Sequence, residues 1–336
     1  MNGRLENDIK IEKLINKSLS ELPHYVTEWY FNLRASKKNL TSCNDFINKI
    51  RKFLRYIDED TKNISSDKIT QTITEQYFIS IQIKFDKNKN TIYTSDSYQQ
   101  SIWCALNNFL GFMYKRKYIN ENYVSNINKP KNHDLDKINA KRKLLTKDDF
   151  NKILYSIDSG VGTDQAKKYQ ENVKSRDKAI VSLLMNTGMR ETALCEINID
   201  DVDFLNKKLT VIDKGNKQHI YVLNESMISL LKEWIEYREL ILSDSEALFI
   251  SSRGERITAS TIYKLVKKYS EDALGYAISP HKLRSGYCSI LYNATGDVEF
   301  VRRAVGHSNI ATTQRYIVTN NEERERASEI MSSLAM

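Results

Sequence analysis

Proline is scarce throughout this sequence of 336 residues, and glycine is scarce in its first half. The chain has three prolines and eleven glycines, and nine of the glycines lie at or beyond Gly160. Because both residues interrupt helices, the first half is expected to be helical almost without a break. The length is enough for about two domains with buried cores.

Long apolar runs and paired cysteines are also missing. No apolar run approaches the ~18 residues that a membrane-spanning helix needs, and no signal peptide is recognisable. The cysteines lie far apart without a C-x-x-C pair, which is typical of reduced, mostly buried thiols: Cys43, Cys104, Cys195 and Cys288. We therefore expect a soluble, cytoplasmic protein.

Basic residues outnumber acidic ones, 51 to 43, which gives a formal net charge of +8. This balance favours a polyanionic partner without identifying one, because a diffuse surplus of lysine also serves solubility. No set of carboxylates has the spacing of a metal site, so no metal cofactor is expected.

Amphipathic patterns predict a helical bundle over residues 21–125. One helix is expected to begin at Thr41 or Ser42, a later one to cover roughly 67–85, and another to begin near Ser95. Residues 1–20 are polar and are assigned to an N-terminal tail, with a short helix as the alternative. The aromatic residues of the bundle are interpreted as core rather than as a platform for stacking bases.

A basic, proline-interrupted stretch, residues 126–145, predicts a linker between two domains. Between Lys129 and Lys147 there are seven Lys or Arg residues and two Asp residues, a net charge of +5. Two interpretations stay open: a solvated linker, or a segment that crosses a DNA backbone. In the second case the candidate contacts are Lys129, Lys131, Lys141, Arg142 and Lys143.

Residues 146–336 predict a second domain. Thr146 and Asp149 form a capping-box pattern at its start, and an apolar helix over residues 179–185 ends at Gly188. Residues 158–175 are assigned to a polar loop.

Strand patterns follow in the same domain. Two β-branched runs within residues 209–223 predict a hairpin with Lys214 at its turn. Residues 248–250 predict a third short strand. A helix from about Ala259 then carries three candidate phosphate contacts, Lys264, Lys267 and Lys268.

The stretch from His281 to Tyr316 concentrates the chemistry. Ser279 and Pro280 suit the start of a helix, and His281 and Arg284 then lie on one face of its first turn. A histidine and an arginine beside the N–H groups of a helix start favour binding of an anion such as phosphate. Asp297 and Gly306 mark the ends of the next helix, which places His307 at its exit.

These spacings resemble the C-terminal signature of the tyrosine recombinase (phage integrase) family. Its H-x-x-R is matched by His281 and Arg284, its G-H by His307, and its nucleophile by Tyr316, nine residues later. The sequence T-G-M-R places Arg190 on the first catalytic arginine of the family, and the hairpin places Lys214 on the catalytic lysine. Two positions depart from the pattern: Ala193 replaces an acidic residue, and Asp213 replaces a common glycine.

The resemblance implies a mainly α fold with a small antiparallel β-sheet, arranged as a two-domain DNA clamp. Residues 21–125 would be the core-DNA-binding domain and residues 146–336 the catalytic domain, ending in a docking helix at about 320–336. The spacing of its apolar residues predicts a helix face that must be covered. The resemblance implies that this helix passes to a neighbouring protomer; docking on its own domain is the alternative.

The implied reaction is site-specific DNA recombination by a tetramer through a Holliday junction, on double-stranded DNA. Arg190, Arg284, His281 and His307 would stabilise the phosphoryl transition state, and Lys214 would protonate the leaving 5′-oxygen. Tyr316 would form a 3′-phosphotyrosyl ester, which keeps the bond energy so that neither ATP nor metal is needed. The alternatives are a type IB topoisomerase, a telomere resolvase or a DNA-binding protein that does not cut.

Overall fold

The computed structural model describes residues 3–85, 90–131, 144–213 and 217–306. This part of the chain is mainly helical with small antiparallel sheets, which confirms the predicted fold class. The helices are α1 (Gly3–Ser20), α2 (His24–Ala35), α3 (Leu40–Ile57), α4 (Gln71–Ser80), α5 (Asp96–Lys115), α6 (Lys147–Ser159), α7 (Asp164–Glu171), α8 (Lys174–Thr187), α9 (Glu191–Glu196), α10 (Glu225–Arg238), α11 (Ala259–Leu274), α12 (Pro280–Thr295) and α13 (Val298–Ala304). The strands are β1 (Ile83–Phe85), β2 (Thr91–Tyr93), β3 (Val202–Asp203), β4 (Lys208–Asp213) and β5 (Lys217–Val222).

The chain divides into two compact units. The N-terminal unit is Arg4–Lys141, and the C-terminal unit is Arg142–Met336 together with Met1–Gly3. Among the helices described in either unit, none combines the length and the apolar character needed to span a membrane.

The core of the N-terminal unit is built from the apolar stripes of its helices. Trp29, Phe53 and Phe109 are fully buried, and the Trp29 indole donates a hydrogen bond of 2.9 Å to Asn108. Residues 3–20 form α1, the stated alternative to an N-terminal tail, and its Ile15 is fully buried in this core. The expected start of α3 is wrong. Helix α3 begins after Asn39, whose side chain accepts from the Ser42 amide, so neither Thr41 nor Ser42 is the cap.

A two-stranded hairpin interrupts the helices of this unit. The helix predicted over 67–85 is confirmed as α4, but its predicted end is wrong: α4 ends before Ile81, and β1 follows and pairs with β2. The apolar residues Ile81, Ile83 and Phe85 alternate with polar ones, and this period of two suits a strand. All six strand residues are exposed. The prediction of an unbroken helical first half therefore fails at this hairpin.

The start of the predicted linker lies along α5. The Trp103 indole donates to the Ile127 carbonyl at 2.8 Å, and the Gln100 amide donates to the Pro130 carbonyl at 3.2 Å. These bonds hold residues 127–130 against the N-terminal unit.

The C-terminal unit begins with the predicted capping box. Thr146 accepts from the Asp149 amide at 3.1 Å, and Asp149 accepts from the Thr146 amide at 2.9 Å, which fixes the start of α6. The polar loop predicted for 158–175 contains α7 instead. Its Gln170 side chain is buried and donates to the Val161 carbonyl at 2.6 Å, so a polar residue supplies the packing contact.

The sheet of this unit has the order β3–β4–β5, and the predicted hairpin is confirmed as β4 and β5. The third strand is β3, not the segment 248–250. That segment is fully buried, but it makes single bridges and loop bonds, such as Leu248 N–H to the Ile197 carbonyl at 2.9 Å. A continuous apolar run indicates burial and does not specify a partner strand.

A buried polar network lies where α8 packs on α11. Asp177 accepts from the Arg176 guanidinium at 2.7 Å and from the Tyr269 hydroxyl at 2.9 Å. Arg176 also donates to the Ile250 carbonyl at 3.2 Å. Burial, and then the neighbouring Asp177 carboxylate, raise the pKa of Tyr269. The network ties two helices and the 248–250 segment together with paired charges.

Candidate active site

Helix α12 begins as predicted and carries His281 and Arg284. Ser279 accepts from the Lys282 amide at 3.3 Å, and Pro280 occupies the first helical turn. The two candidate residues differ in environment: His281 is exposed, whereas Arg284 is 2% exposed. Positions i and i+3 share a helix face, but Arg284 points further towards the core.

Arg284 joins two segments that are distant in sequence. One terminal nitrogen of its guanidinium donates to the Gly188 carbonyl, and the other donates to the Val305 carbonyl at 2.9 Å. Gly188 belongs to the T-G-M-R sequence, and Val305 directly precedes the G-H pair. One buried side chain therefore connects three motifs that the sequence shows separately.

The turn at Gly188 positions Arg190. Gly188 ends α8 with φ +60°, a conformation that favours glycine. A Cβ there would lie 2.5 Å from Cδ1 of Tyr287, so the backbone passes directly over α12. Arg190 follows at the N-cap of α9 with extended backbone and is half-buried.

The segment that leads to His307 is held by short-range contacts. Asp297 caps α13 through the amides of Glu299 and Phe300. Arg302 and Arg303 both donate to Glu299, and these hydrogen bonds lower the pKa of Glu299 to about 2. Val301 and Val305 are fully buried against Cys288, and burial raises the pKa of that thiol to about 11.

Strand β5 contributes a residue that sequence reasoning missed. Gly306 has φ +68°, and a Cβ on it would lie 3.3 Å from Nδ1 of His219. His219 also packs edge-on against Tyr221, with ring centroids 4.4 Å apart. The hairpin and the G-H turn are therefore in contact. The alternation of side chains along β5 places His219 on the opposite face of the strand from the exposed Ile220. The sequence contains no signal that Gly306 is the neighbour of His219.

Three of the six predicted catalytic residues lie in the described part of the chain: Arg190, His281 and Arg284. The structure brings the turn of Arg190 and the helix of His281 together through Arg284. Lys214, His307 and Tyr316 lie outside the described residues. The described residues end directly before two of these three: Asp213 precedes Lys214, and Gly306 precedes His307.

The predicted DNA-contacting lysines fall into two groups. Lys129 and Lys131 are exposed, and the Lys129 ammonium lies 5.9 Å from the Trp103 ring centroid; Lys141, Arg142 and Lys143 lie outside the described residues. On α11, Lys264 and Lys267 are exposed beside a groove of about 440 Å³. Lys268 instead lies over the Tyr269 ring at 3.9 Å and donates to Gln170, and burial lowers its pKa.

Ala193, which stands where the family pattern has an acidic residue, lies beside a cavity and a buried arginine. Ala193 is 5% exposed and lines a cavity of about 210 Å³ beside Glu196 and Asn198. Arg256 binds the backbone beside this cavity: its guanidinium donates to the Cys195 and Ile197 carbonyls at 3.1 Å and to the Asn198 side chain at 2.7 Å. Arg256, which sequence reasoning also missed, therefore holds the segment that follows α9.

The fold and this geometry define a mainly helical protein in which one buried arginine brings cationic motifs to a common centre. The model of the phage integrase family matches residues 141–323. A tyrosine recombinase XerC from Caldanaerobacter subterraneus subsp. tengcongensis is 33% identical over 229 residues, which cover 66% of this chain and 59% of that protein. XerC from Mannheimia succiniciproducens is 30% identical over 219 residues, covering 64% of this chain and 68% of that protein.

Solved structures show the same fold. A XerH site-specific recombinase bound to a palindromic difH substrate has a TM-score of 0.63 at 23% identity, covering 89% of this chain and 82% of that one. A lambda integrase dimer bound to a COC′ core site has a TM-score of 0.58 at 18% identity, covering 87% and 76%.

The chain belongs to the phage integrase family of tyrosine recombinases. It spans about six tenths of the length of the first curated relatives that it matches, 59% and 58%.

Proposed function

We propose that the protein is a site-specific DNA recombinase that cleaves and rejoins DNA through a 3′-phosphotyrosyl intermediate. The observation that carries this proposal is the pair of bonds from Arg284 to the carbonyls of Gly188 and Val305. They gather the T-G-M-R, H-x-x-R and G-H motifs around one guanidinium, as a single phosphoryl site requires.

The proposed chemistry needs cations at the phosphate and a positioned tyrosine. A tyrosine hydroxyl is a poor nucleophile at its ordinary pKa of about 10. Attack becomes fast when the added negative charge of the transition state is stabilised by preorganised donors. Arg190 and Arg284 are the proposed guanidinium donors to the non-bridging oxygens, and His281 and His307 add donors. The Tyr316 oxygen attacks the phosphorus, its proton passes to His281 or His307, and the P–O bond to the 5′-oxygen breaks.

Lys214 is the proposed general acid, delivering its proton to the leaving 5′-oxygen. The bond energy stays in the phosphotyrosyl ester, so the 5′-hydroxyl of a partner strand can reverse the reaction without ATP or metal. The contact between Gly306 and His219 supports this role, because it brings the hairpin next to the segment of His307.

The partner is double-stranded DNA, and the active assembly on it is a homo-tetramer that passes through a Holliday junction. The neighbours include a lambda integrase tetramer bound to a Holliday junction, with a TM-score of 0.59 at 15% identity. The N-terminal unit serves as the core-DNA-binding domain, residues 126–145 as the linker of the clamp, and about 320–336 as the docking helix.

The host context extends the proposal. We place the enzyme in the cytoplasm, acting on a mobile genetic element. Four free cysteines fit a reducing compartment. Among the DNA contacts we include Lys129, Lys131 and the exposed Lys264 and Lys267.

Trapping the covalent intermediate tests the proposal. Protein from cells is denatured without protease, DNA that stays attached is sequenced, and adduct is measured for wild type and Tyr316→Phe. We expect attached DNA with a common sequence in wild type and none in the variant, which lacks only the attacking oxygen.

Tyr263→Phe is the matched control, since Tyr263 is an exposed tyrosine on α11, and it should retain the adduct. Adduct at the wild-type level in Tyr316→Phe would remove Tyr316 from the mechanism. Attached DNA without a common sequence would indicate a relaxing enzyme in place of a site-specific recombinase.

A further inference from the structure

The β1–β2 hairpin of the N-terminal unit presents large exposed side chains. Its six strand residues are exposed on both faces of the ribbon, with Phe85 at 72% and Tyr93 at 78%. Exposed aromatic side chains forgo the stabilisation that burial would give them. A ribbon of this size is also marginal as an isolated structure. The exposed ribbon is therefore suited to binding a partner that covers its side chains.

The register divides the ribbon into two different faces. Ile83 lies opposite Tyr93, and Phe85 lies opposite Thr91, so these four side chains share one face. Lys84 and Ile92 share the other face. The first face, named the aromatic face here, is apolar and has no charged side chain.

Charge distinguishes the possible partners. The sequence from Ile83 to Tyr93 contains three lysines and one aspartate, a net charge of +2. Lys84 lies in β1, and the other three charged residues lie outside the described residues. A positively charged segment with an apolar face fits a polyanion that also offers apolar groups.

Size gives a second argument. A stable protein–protein interface needs about 800 Å² from each partner. Four side chains on a ribbon with three residues in each strand provide far less. The aromatic face is therefore too small to hold a second copy of the chain by itself. A duplex groove needs less, because phosphate contacts elsewhere supply most of the affinity.

We propose that the β1–β2 hairpin enters the major groove of DNA and that its aromatic face contacts base edges. Two strands about 4.8 Å apart fit a groove about 12 Å wide, and the groove exposes the thymine methyl group as an apolar contact. Phe85 and Tyr93 make the base contacts, and Lys84 lies towards a phosphate. This inference rests on the proposed action on DNA and adds a specificity element in the N-terminal unit.

The first experiment measures binding of the full chain to a mixed-sequence duplex of about 30 base pairs at several salt concentrations. Phe85→Ser with Tyr93→Ser should raise the dissociation constant about tenfold and leave the salt dependence unchanged, because no phosphate contact is lost. Lys84→Ala should instead lower the slope of log K against log salt by about one.

The matched control is Phe31→Ser with Tyr114→Ser, which removes two aromatic side chains, 63% and 52% exposed, from the same unit. It should leave the dissociation constant unchanged. Equal affinity of the Phe85/Tyr93 variant and wild type overturns the proposal, and so does an equal loss in the control. Because these side chains are exposed, the thermal unfolding midpoints of the variants should match wild type.

A second experiment does not depend on a loss of affinity. A benzophenone amino acid replaces Phe85 in the full chain, and the complex with the same duplex is irradiated. Attachment to DNA supports the proposal, whereas attachment to a second protein chain overturns it in favour of a protein contact. Both hairpin experiments measure DNA binding and need no cleavage. Their results can therefore be interpreted even if the Tyr316 adduct is not found, and the adduct test does not depend on the hairpin.

Discussion

Gly306 lies at the close approach between the end of α13 and the β4–β5 hairpin. Its φ of +68° is in the left-handed region, and His219 fills the space next to its Cα. Gly296 at the end of α12 has φ +67° and no neighbouring atom within 4 Å of an added Cβ. The two glycines differ mainly in the His219 contact, so together they separate backbone strain from displacement of the hairpin.

Gly306→Ala should lower the rate of DNA cleavage more than Gly296→Ala, although both should lose about 1 kcal/mol of stability through the left-handed conformation. The added methyl group at 306 must move His219, and with it the hairpin that ends at Lys214. Single-turnover cleavage and urea unfolding provide the two measurements. Equal cleavage rates in the two variants would show that the contact does not affect the reaction.

Lys214 has a chemical test that is independent of its position. Lys214→Ala should be strongly impaired on normal DNA but recover with a substrate that carries sulfur in place of the 5′-bridging oxygen. A thiolate leaves without protonation, so a general acid is not needed. Lys217→Ala, at the other end of the same turn, is the control and should show no such selective recovery. A defect of unchanged size on the sulfur substrate would rule out the acid role.

At the scale of elements, the α8–α11 network makes a prediction about stability and pH. Tyr269→Phe leaves one oxygen of the buried Asp177 without the Tyr269 donor, which should cost about 1–3 kcal/mol at neutral pH. Arg176 remains bonded to the other oxygen. Urea unfolding measures the free energy of unfolding of this variant, and Tyr263→Phe, a change at an exposed tyrosine, is the control.

The raised pKa of Tyr269 also sets the sign of an alkaline effect. The unfolded phenol ionises near pH 10, while the folded phenol keeps its proton to higher pH. The stabilisation is therefore complete below about pH 10 and declines as the pH rises above it. Tyr269→Phe should lose less stability than wild type between neutral pH and the alkaline range. An identical decline in both proteins would exclude Tyr269 as a source.

Local signals predicted those elements whose ends are encoded by neighbouring residues. Ser95, Thr146 and Ser279 each cap a helix at the expected position, because a cap is a contact within about three residues. Helix α7 was missed because its inward residue is the polar Gln170. The strand prediction for segment 248–250 is wrong because its partners, such as Ile197, come from loops distant in sequence.

The candidate site was predictable as a set of residues but not as an arrangement. Motif spacing singled out Arg190, His281 and Arg284 without any structure. Nothing local indicates that Arg284 contacts Gly188, 96 positions away, or that His219 lies against Gly306. Such contacts depend on how helices pack, which the pattern of one segment does not contain.

At the scale of the whole molecule, assembly is the open prediction. Ile330, Met331 and Leu334 give the tail, which lies outside the described residues, an apolar stripe. If this stripe docks on a neighbouring protomer, Ile330→Asp with Leu334→Asp should remain folded and bind one half-site but lose synapsis. Each buried aliphatic side chain contributes about 1.5–3 kcal/mol, so two charges there abolish a weak contact.

Ser332→Asp with Ser333→Asp adds the same charge to the polar face of that tail and should assemble normally. Light scattering of the free protein and of its complex with DNA measures the change from monomer to tetramer. Loss of thermal stability and solubility in the Ile330/Leu334 variant would show docking on its own domain and end the exchange proposal.

The two carbonyl bonds of Arg284 also bear on how such a protein would decay over evolutionary time. A descendant released from selection for cutting loses the attacking oxygen when Tyr316 becomes phenylalanine. A change at Arg284 leaves the carbonyls of Gly188 and Val305 without that donor inside the core, and the chain is then exposed to proteolysis. Silent descendants should therefore retain the arginine long after the tyrosine has gone. In a related sequence, an arginine at this position therefore indicates that the fold is retained, whereas a tyrosine at position 316 indicates that cleavage is retained.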